Sequence, residues 1–520
     1  MPFRASFAFI ACLHLTGAFA QSPPSIIWED CFGGSLGDHP RSIHPTYDGG
    51  CVVTGPTYSN NGDVTPLYGG SVRFWIFKLD GNGGMEWEKE LGGSGGDCGN
   101  SIVETEDHGF FATGYSNSND GDVTGNHGGY DIWVVRLSSS GELQWQRSLG
   151  GSFSDEGEAI RATPDGGCIV AGYTQSSDGD VSGDHGAGDF WVVKLDATGA
   201  IQWEKALGGS AQDWPSSIAL CDDGGYLIGG YTASNDGDVT GLHGNVDGWL
   251  VKLDDTGDLV WQRTLGGSGQ DRIYCVQAAP GQGSILLCHT ESNDGDVTGN
   301  NGGADCWVVR LDSVGDIVWQ QALGGSGNEL SGWIVPLQEG GYVGAASTTS
   351  MDGDVTGFHG TAGTDIWVFG LNESGTLQWQ RAYGGNGSDE VPTIEQALDG
   401  GFFLAGYSTS GNGGSGDVSS GANGGADNWV ARLEAQNVWI PERNATSIAL
   451  FPNPAHDVVR INTPAKAGRW TLSNALGETL RSERTATSEQ VLDLTGLQPA
   501  LYTVRWTDGK TSSAARLVIH

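Results

Sequence analysis

A unit of about 58 residues recurs seven times along this chain, and this repeat limits the possible folds more than any other feature. Two series of tryptophans mark the period, and consecutive members of a series lie 58 to 62 residues apart. The first series is Trp75, Trp133, Trp191, Trp249, Trp307, Trp367 and Trp429. The second is Trp28, Trp87, Trp145, Trp203, Trp261, Trp319 and Trp379. We expect the tryptophans to fill the space between repeats, since large aromatic side chains bury much apolar area.

Each unit contains four strand-like runs, which in the second unit are 101–105, 110–115, 132–137 and 142–149. They alternate polar and apolar residues, are rich in β-branched and aromatic side chains, and are separated by turns that contain glycine. This pattern predicts antiparallel hairpins, and no useful stretch has helical periodicity. Four strands in each of seven units predict an all-β fold, a seven-bladed β-propeller over residues 26–434.

The two ends of the repeat region complement each other. Residues 26–30 align with the fourth strand of a unit, whereas the last unit stops after its third strand, at Leu433. We therefore expect the N-terminal strand to complete the last blade, which closes the ring and protects a free sheet edge. An open β-solenoid is the alternative, but it gives no reason for complementary ends.

The composition excludes several classes of protein. There are 87 glycines without a G-X-Y period, so the chain is not collagen, and 19 tryptophans with 38% hydrophobic residues argue against disorder. The formal net charge is −38, which argues against nucleic acid as a partner because phosphate binding needs a basic surface. Beyond the N-terminus, no apolar run approaches the roughly 20 residues that a transmembrane helix needs.

The N-terminus has the features of a secretory signal peptide at 1–20. Arg4 precedes an apolar stretch at 7–15, and Ala18-Phe19-Ala20 forms an A-x-A cleavage site. Export permits disulfides, but the eight cysteines after Cys12 show no CxxC and no regular spacing. We expect mostly free, buried thiols, with a Cys275–Cys288 pair across one hairpin as the alternative.

After the repeats, a linker at 435–446 leads to a small domain at 447–520, whose strand-like runs predict a β-sandwich. Its opening 450–455 (LFPNPA), centre 494–502 (LTGLQPALY) and end 516–519 (RLVI) resemble the type A C-terminal sorting domain of the type IX secretion system, the Por secretion tail. Ala500 and Arg516 depart from that family's usual Gly and Lys. The resemblance implies export across a Gram-negative outer membrane, with residues 447–520 read by the type IX machinery. The expected location is extracellular or on the outer cell surface.

The repeats themselves resemble the Asp/Gly-rich secreted propeller repeats that are grouped with kelch-like and bacterial SBBP-type repeats. The resemblance is one of repeat style, and it carries over no catalytic residue.

An Asp-Gly loop precedes the third strand of each unit, as in residues 119–131, and it suggests two hypotheses. In the first, the acids and glycines are turn-forming residues, and Asp caps its own backbone. Alternatively, the Asp-x-Asp spacing suits Ca²⁺, although the pattern is not that of an EF-hand. The calcium candidates are Asp120, Asp122, Asp131, Asp178, Asp180, Asp189, Asp236, Asp238, Asp247, Asp294, Asp296 and Asp305. Arg73 replaces the last Asp in the first unit, so that loop should be the weakest site.

A histidine also recurs in these loops, and asparagine replaces it in two repeats. Asparagine is a poor ligand for transition metals but a good hydrogen-bonding substitute, so we expect a structural role for this position. The residues are His127, His185, His243 and His359, with Asn301 and Asn423 as the replacements.

The sequence gives little support for catalysis. It has no unique Ser/His/Asp set, GxSxG elbow, HExxH pair or phosphate loop, and the most divergent repeats, the first, fifth and sixth, lose polar residues. Trp214, Trp333 and Trp439 depart from the two series and are candidates for stacking on a sugar.

We therefore predict a secreted or cell-surface module for binding or adhesion, with an unknown glycan or protein ligand and no assigned catalytic residue. The alternatives are a secreted hydrolase or lyase acting on polysaccharide, and a structural component of a surface layer. Acids and aromatic residues that differ between blades at the central channel would favour the enzyme. A uniform face would favour binding or scaffolding.

Overall fold

The computed structural model describes residues 22–68, 72–279, 283–337, 340–360, 363–411, 416–422, 424–435, 449–451, 458–462, 468–474, 479–485, 489–498, 500–507 and 512–519. The predicted signal peptide at 1–20 and all of the predicted linker except residue 435 lie outside these residues.

The chain divides into two compact units, Met1–Asn437 and Val438–His520. Thirty-five strands and no helix occur among the described residues, so the prediction of an all-β fold is confirmed. In the same part of the chain, no helix is long and apolar enough to cross a membrane.

The first unit consists of seven four-stranded antiparallel sheets. Its first strand is β1 (Ile26–Phe32). Six sheets follow in chain order: β2 (Ser42–Pro45), β3 (Cys51–Thr57), β4 (Arg73–Leu79), β5 (Met85–Leu91); β6 (Asp97–Glu104), β7 (Phe110–Ser116), β8 (Asp131–Leu137), β9 (Leu143–Leu149); β10 (Asp155–Ala162), β11 (Cys168–Thr174), β12 (Asp189–Leu195), β13 (Ile201–Leu207); β14 (Asp213–Leu220), β15 (Tyr226–Thr232), β16 (Asp247–Leu253), β17 (Leu259–Leu265); β18 (Asp271–Ala279), β19 (Gly283–Thr290), β20 (Asp305–Leu311), β21 (Ile317–Leu323); and β22 (Glu329–Pro336), β23 (Tyr342–Thr348), β24 (Asp365–Leu371), β25 (Leu377–Tyr383).

The seventh sheet combines the two ends of the repeat region. It contains β26 (Asp389–Gln396), β27 (Phe402–Ser408) and β28 (Asp427–Leu433), and β1 pairs antiparallel with β28 as its fourth strand. In this pairing Asp30 lies opposite Val430, and the Trp429 indole Nε1 donates to Glu29 at 2.8 Å.

The tryptophan series hold each sheet together and join it to the next. All seven members of the first series are at most 1% exposed, and the indole of each donates to a Gln or Glu of the fourth strand, as Trp133 does to Gln146 at 2.8 Å. The second series packs against turns of the following repeat. A Cβ on Gly141, for example, would lie 2.8 Å from the Trp87 ring, and the φ of this glycine is +78°. Only glycine fits this turn without strain.

The first strands of the seven sheets form a closed succession of contacts. Each of β2, β6, β10, β14, β18 and β22 contacts the first strand of the next sheet, and β26 contacts β2. In six of these strands the register shifts after the second or third residue, where one or two extra residues bulge out of the pairing.

The second unit contains two sheets. One has the order β29 (Ala449–Phe451), β30 (Val458–Asn462), β33 (Glu489–Asp493); the other has the order β32 (Thr479–Thr485), β31 (Gly468–Ser473), β34 (Ala500–Thr507), β35 (Ser512–Ile519). Val459 and Ile461 of the first sheet share a buried core with Trp470, Val504 and Trp506 of the second. This is the arrangement expected of a small β-sandwich.

The eight cysteines of the described residues are all free, and seven of them are buried. Cys275 and Cys288 lie on adjacent strands of one hairpin without forming a disulfide. Burial raises the pKa of the Cys168 and Cys275 thiols to about 12, so these thiols are unreactive at neutral pH.

Candidate functional site

Each Asp-Gly loop packs on the Gly-Gly-Ser loop that precedes the first strand of the same sheet. In the second repeat, Asp120 Oδ1 accepts a hydrogen bond from Ser94 N at 2.7 Å, and Asp122 Oδ2 accepts one from Gly92 N at 3.3 Å. The same pattern recurs in the next three repeats. These bonds go to main-chain N–H groups of another loop, so the aspartates hold two loops together and do not cap their own backbone as the turn hypothesis expected.

The aspartate that ends each loop is buried and binds the recurring histidine. Asp131 Oδ2 accepts a hydrogen bond from His127 N at 2.9 Å and lies 2.7 Å from His127 Nδ1. In the fifth repeat, Asn301 N donates to Asp305 in the same way, at 2.6 Å. The contact of Asn301 is made by its main-chain N–H, so the predicted side-chain hydrogen bond is observed at the histidine, whose Nδ1 lies near the aspartate. Asn423 lies outside the described residues.

Each buried loop aspartate lies next to a second buried acid, at the start of the following sheet. Asp213, the partner of Asp189, accepts hydrogen bonds from Gly209 N at 2.8 Å and Ser234 Oγ at 2.9 Å. Asp189 Oδ1 has no hydrogen-bond partner. Burial raises the pKa of Asp189 to about 6, which reflects the cost of placing a carboxylate here. The loop aspartates whose Oδ1 has no partner are Asp131, Asp189, Asp247, Asp305 and Asp365.

The twelve calcium candidates therefore all accept main-chain hydrogen bonds. They are Asp120, Asp122, Asp131, Asp178, Asp180, Asp189, Asp236, Asp238, Asp247, Asp294, Asp296 and Asp305. Over the described ranges, no three His, Cys, Asp or Glu side chains lie together as a metal site would require. Calcium binding stays a prediction. The loops offer carboxylate oxygens, but within the described part of the chain these do not surround a single site.

The first repeat differs, as the sequence indicated. Arg73 occupies the place of the loop aspartate, and its Nε lies 3.1 Å from Glu90 Oε2. Its guanidinium also donates to the Ser59 carbonyl. Both side chains of this ion pair are buried. The first repeat therefore has an Arg–Glu ion pair at the loop, where the other repeats place two buried acids next to each other.

A cavity of about 900 Å³ lies among the first strands, and all seven sheets contribute to its lining. We number each first strand from the acid that begins it, so that Asp155 is position 1 and Arg161 is position 7. Position 6 is isoleucine in six repeats and valine in the other, and it is buried between sheets. Positions 2, 4 and 7 instead differ from repeat to repeat. Those that line the cavity with charged, amide or aromatic side chains are His39, Arg41, His44, Asn100, Glu158, Arg161, Trp214, Arg272, Tyr274, Gln277, Glu390 and Glu395.

Positions 2 and 4 form one layer of the cavity, in which Glu158 is the central acid. Burial, followed by the neighbouring Glu156 carboxylate, raises the pKa of Glu158 to about 8. Asn100 Nδ2 lies 3.4 Å from Glu158 Oε2 and donates to the Gly157 carbonyl at 2.9 Å. Trp214 presents its ring nearby, stacked on Tyr173 with 4.1 Å between centroids. This layer therefore combines an aromatic face with a neutral acid and an amide.

Position 7 forms a second layer, roughly 10 Å further along the strands. Burial raises the pKa of Glu395 to about 7, and the Trp333 indole donates to this carboxyl at 3.1 Å. The Arg161 guanidinium lies 5.9 Å from the centre of the Trp333 ring. Burial, followed by the charge of Arg161, lowers the pKa of His44 to about 4, so that histidine is neutral.

The loop motifs of the sequence do not indicate this cavity. The expectation that the divergent repeats only lose polar residues is wrong for the first strands, where the first and fifth repeats contribute Arg41 and Arg272. The sequence does contain a signal for the cavity, because positions 2, 4 and 7 of the first strands vary between repeats while positions 1 and 6 are nearly constant. Two of the three tryptophans outside the series, Trp214 and Trp333, do line the cavity, whereas Trp439 lies outside the described residues.

Comparison with known proteins assigns the C-terminal part of the chain. Residues 449–520 match the family described as secretion system C-terminal sorting domain. Among curated proteins, the regulatory protein FlaEY of Caulobacter vibrioides is 25% identical over 164 residues. That match covers 29% of this chain and 17% of FlaEY, so this chain spans less than a fifth of its relative.

Two solved structures are also similar. PorZ of Porphyromonas gingivalis, described as an essential surface component of the type IX secretion system, has 12% identity and a TM-score of 0.40, with 94% of this chain and 60% of PorZ covered. A puromycin hydrolase has 13% identity and a TM-score of 0.45, with 83% of this chain and 59% of that one covered.

The sorting domain implies contact with the type IX machinery and secretion to the cell surface or the extracellular space. The resemblance noted at the C-terminus is confirmed: residues 449–520 of this chain are a type IX secretion sorting domain.

Proposed function

We propose that the first unit is a closed seven-bladed β-propeller that binds a glycan in its central cavity after delivery by the sorting domain. The observation that carries this proposal is the contrast within the first strands. Positions 1 and 6 are nearly constant in all seven repeats, whereas positions 2, 4 and 7 place different polar and aromatic groups in one cavity. A lining that breaks the sevenfold pattern suits an asymmetric ligand.

Two contacts support a closed ring. The first strands touch in sequence, and β26 returns to β2, so the succession has no open end. β1 supplies the fourth strand of the seventh sheet, and the Tyr383 hydroxyl donates to the Pro24 carbonyl beside it. This tie between chain ends gives the seventh sheet the same number of strands as the other six.

The chemistry of the lining supports a sugar as the ligand. Trp214 and Trp333 offer flat apolar surfaces, on which the C–H faces of a pyranose ring pack well. Asn100, Gln277 and the carboxyl groups offer donors and acceptors that match hydroxyl groups. Ligand pockets of several hundred Å³ with convergent polar groups are typical of small-molecule and saccharide binding.

The test is a glycan array followed by calorimetry with Trp214→Ala. We expect the full-length protein to bind one glycan class, and the substitution to weaken binding about tenfold or more through loss of the stacking surface. Phe153→Ala is the control, because Phe153 is 60% exposed in a loop outside the cavity. Equal affinity of the Trp214→Ala variant and the unaltered protein would contradict the proposal.

A polysaccharide hydrolase is the second candidate, and the cavity gives it one specific observation. Glu158 and Glu395 both have raised pKa values, about 8 and 7, which are suited to general acid catalysis at neutral pH. A varied cavity is also the feature expected of the enzyme alternative. We favour binding because burial is the largest cause of both raised pKa values and requires no catalytic role, while the hydrogen bonds with Trp214 and Trp333 act in the opposite direction and lower these pKa values.

A further inference from the structure

The cationic side chains of the first unit are distributed unevenly. Residues 22–435 contain fifteen lysines and arginines, in a protein whose formal net charge is −38. Ten of the fifteen form ion pairs with a carboxylate. These are Arg73, Lys78, Lys89, Arg136, Lys194, Lys205, Lys252, Arg263, Arg381 and Arg432. Ion pairing is therefore the usual state of a cation in this acidic unit.

Five arginines remain, and three of them line the central cavity. Arg147 and Arg310 donate to main-chain carbonyls outside it. Arg41, Arg161 and Arg272 have no carboxylate within 4 Å among the described residues, and each comes from a different sheet. Three arginines without a carboxylate partner at this distance therefore meet in one cavity.

The cavity arginines are supported by aromatic rings or backbone rather than by acids. Arg272 lies over the Tyr231 ring at 4.6 Å, and Arg161 donates one N–H to the Ile160 carbonyl at 2.9 Å. A guanidinium has five N–H donors, so these contacts leave several for a ligand. Stacking also fixes the plane of the group, which suits paired hydrogen bonds to an oxyanion.

The acids of the cavity add less negative charge than their number suggests. Burial raises the pKa of Glu158 to about 8 and that of Glu395 to about 7, so Glu158 is largely protonated at neutral pH and Glu395 is about half protonated. The cavity is consequently a positive site inside a strongly acidic protein. Glu390 is a third acid of the lining, and the charge of Glu395 acts on the pKa of Arg161, but the three guanidinium groups still outnumber the charged carboxylates. An anionic ligand would supply the missing counter-charge.

We infer that the ligand of the central cavity is an acidic oligosaccharide, whose carboxylate or sulfate groups are bound by Arg41, Arg161 and Arg272. The tryptophans receive sugar rings, and the arginines select for the anionic substituents. The inference rests on the proposed glycan-binding function and adds the charge of the ligand. It also requires association against the long-range repulsion of the acidic surface, so binding depends on the cavity contacts themselves.

The experiment measures the affinity of the full-length protein for three probes by calorimetry. These are an oligogalacturonate, which carries only carboxylates, a carrageenan oligosaccharide, which carries only sulfates, and a neutral malto-oligosaccharide of similar length. We expect at least one acidic probe to bind about tenfold or more tightly than the neutral one, because each charge-assisted pair is a strong hydrogen bond. Which acidic probe binds distinguishes carboxylate from sulfate recognition.

Arg272→Gln and Arg41→Gln are the test variants. The control is Arg263→Gln, because Arg263 is a partly exposed, ion-paired arginine outside the cavity. We expect about a tenfold loss of affinity for the acidic probe in both test variants and no change in the control. Thermal melts of all variants verify folding.

The outcomes separate this inference from the function on which it rests. If the neutral probe binds as tightly as the acidic ones, and Trp214→Ala still weakens it, the anionic inference is wrong while glycan binding stands. If affinity for the acidic probe is unchanged in both arginine variants, the inference is also wrong. Failure of every glycan to bind would overturn both proposals.

Discussion

At the scale of single residues, Glu158 gives the clearest dependence on pH. Its pKa is raised to about 8 by burial, so the folded protein keeps this proton over a range in which the unfolded chain has lost it. Between about pH 4.5 and pH 8 the folded state binds more protons at this site, and stability therefore falls as the pH rises. Above about pH 8, which is the pKa of Glu158 in the folded state, this contribution to stability is lost completely.

We predict that Glu158→Gln removes this contribution. The melting temperature of the variant, relative to that of the unaltered protein, should rise by a few degrees between pH 5 and pH 8. Glu106→Gln, at an exposed turn residue, is the control and should show a constant difference. A Glu158→Gln difference that stays flat over this range would contradict the raised pKa.

The same variant decides between binding and hydrolysis. If Glu158 is the general acid of an enzyme, its substitution abolishes the release of reducing ends from the bound polysaccharide. If the cavity only binds, the unaltered protein releases none, and affinity changes modestly. Measuring reducing ends and affinity on one substrate panel gives both answers.

At the scale of strands and loops, the repeated hairpins and loops could be predicted from the sequence, whereas the role of the positions that differ between repeats could not. The period of the tryptophans located the hairpins, and the Asp-Gly spacing located the loops, because these features depend on local turn chemistry. The bulge in the first strand has no such signature, yet in the second, third, fourth and fifth repeats it turns position 4, which includes Asn100 and Glu158, out of the pairing. The raised pKa values could not be predicted, since their largest cause is burial, which depends on how the sheets pack together.

The N-terminal strand is the element whose loss should have the largest effect. Without β1, the edge of β28 is unpaired, and Trp429 and Tyr383 lose the hydrogen bonds to Glu29 and Pro24. We predict that a protein beginning at Gly33 melts roughly 10 °C lower than one beginning at Gln21, or aggregates through its free edge. A synthetic peptide of residues 22–33 should restore much of the melting temperature. Equal melting of the two proteins would show that β1 is dispensable.

At the scale of the whole molecule, the buried acids recur in several repeats of a chain with a net charge of −38, so the calcium hypothesis concerns many loops at once. Five loop aspartates have an Oδ1 atom without a hydrogen-bond partner, and each lies beside the buried acid that begins the following sheet. A divalent cation bound near several of these pairs of acids would offset their mutual repulsion and would stabilise the folded state by mass action.

We predict that millimolar Ca²⁺ raises the melting temperature by several degrees relative to the chelator EGTA, and that Mg²⁺ does so less because it demands a smaller octahedral site. Asp189→Asn should reduce this shift in melting temperature because it removes the charge of one loop carboxylate. Asp254→Asn, in an exposed turn outside these loops, should leave the shift unchanged.

The first repeat is a natural comparison, because Arg73 and Glu90 already form an ion pair there. Arg73→Asp should therefore increase the calcium-dependent shift if its loop then resembles the others. Identical melting in Ca²⁺ and EGTA would remove the calcium hypothesis and leave hydrogen bonding as the whole role of these aspartates.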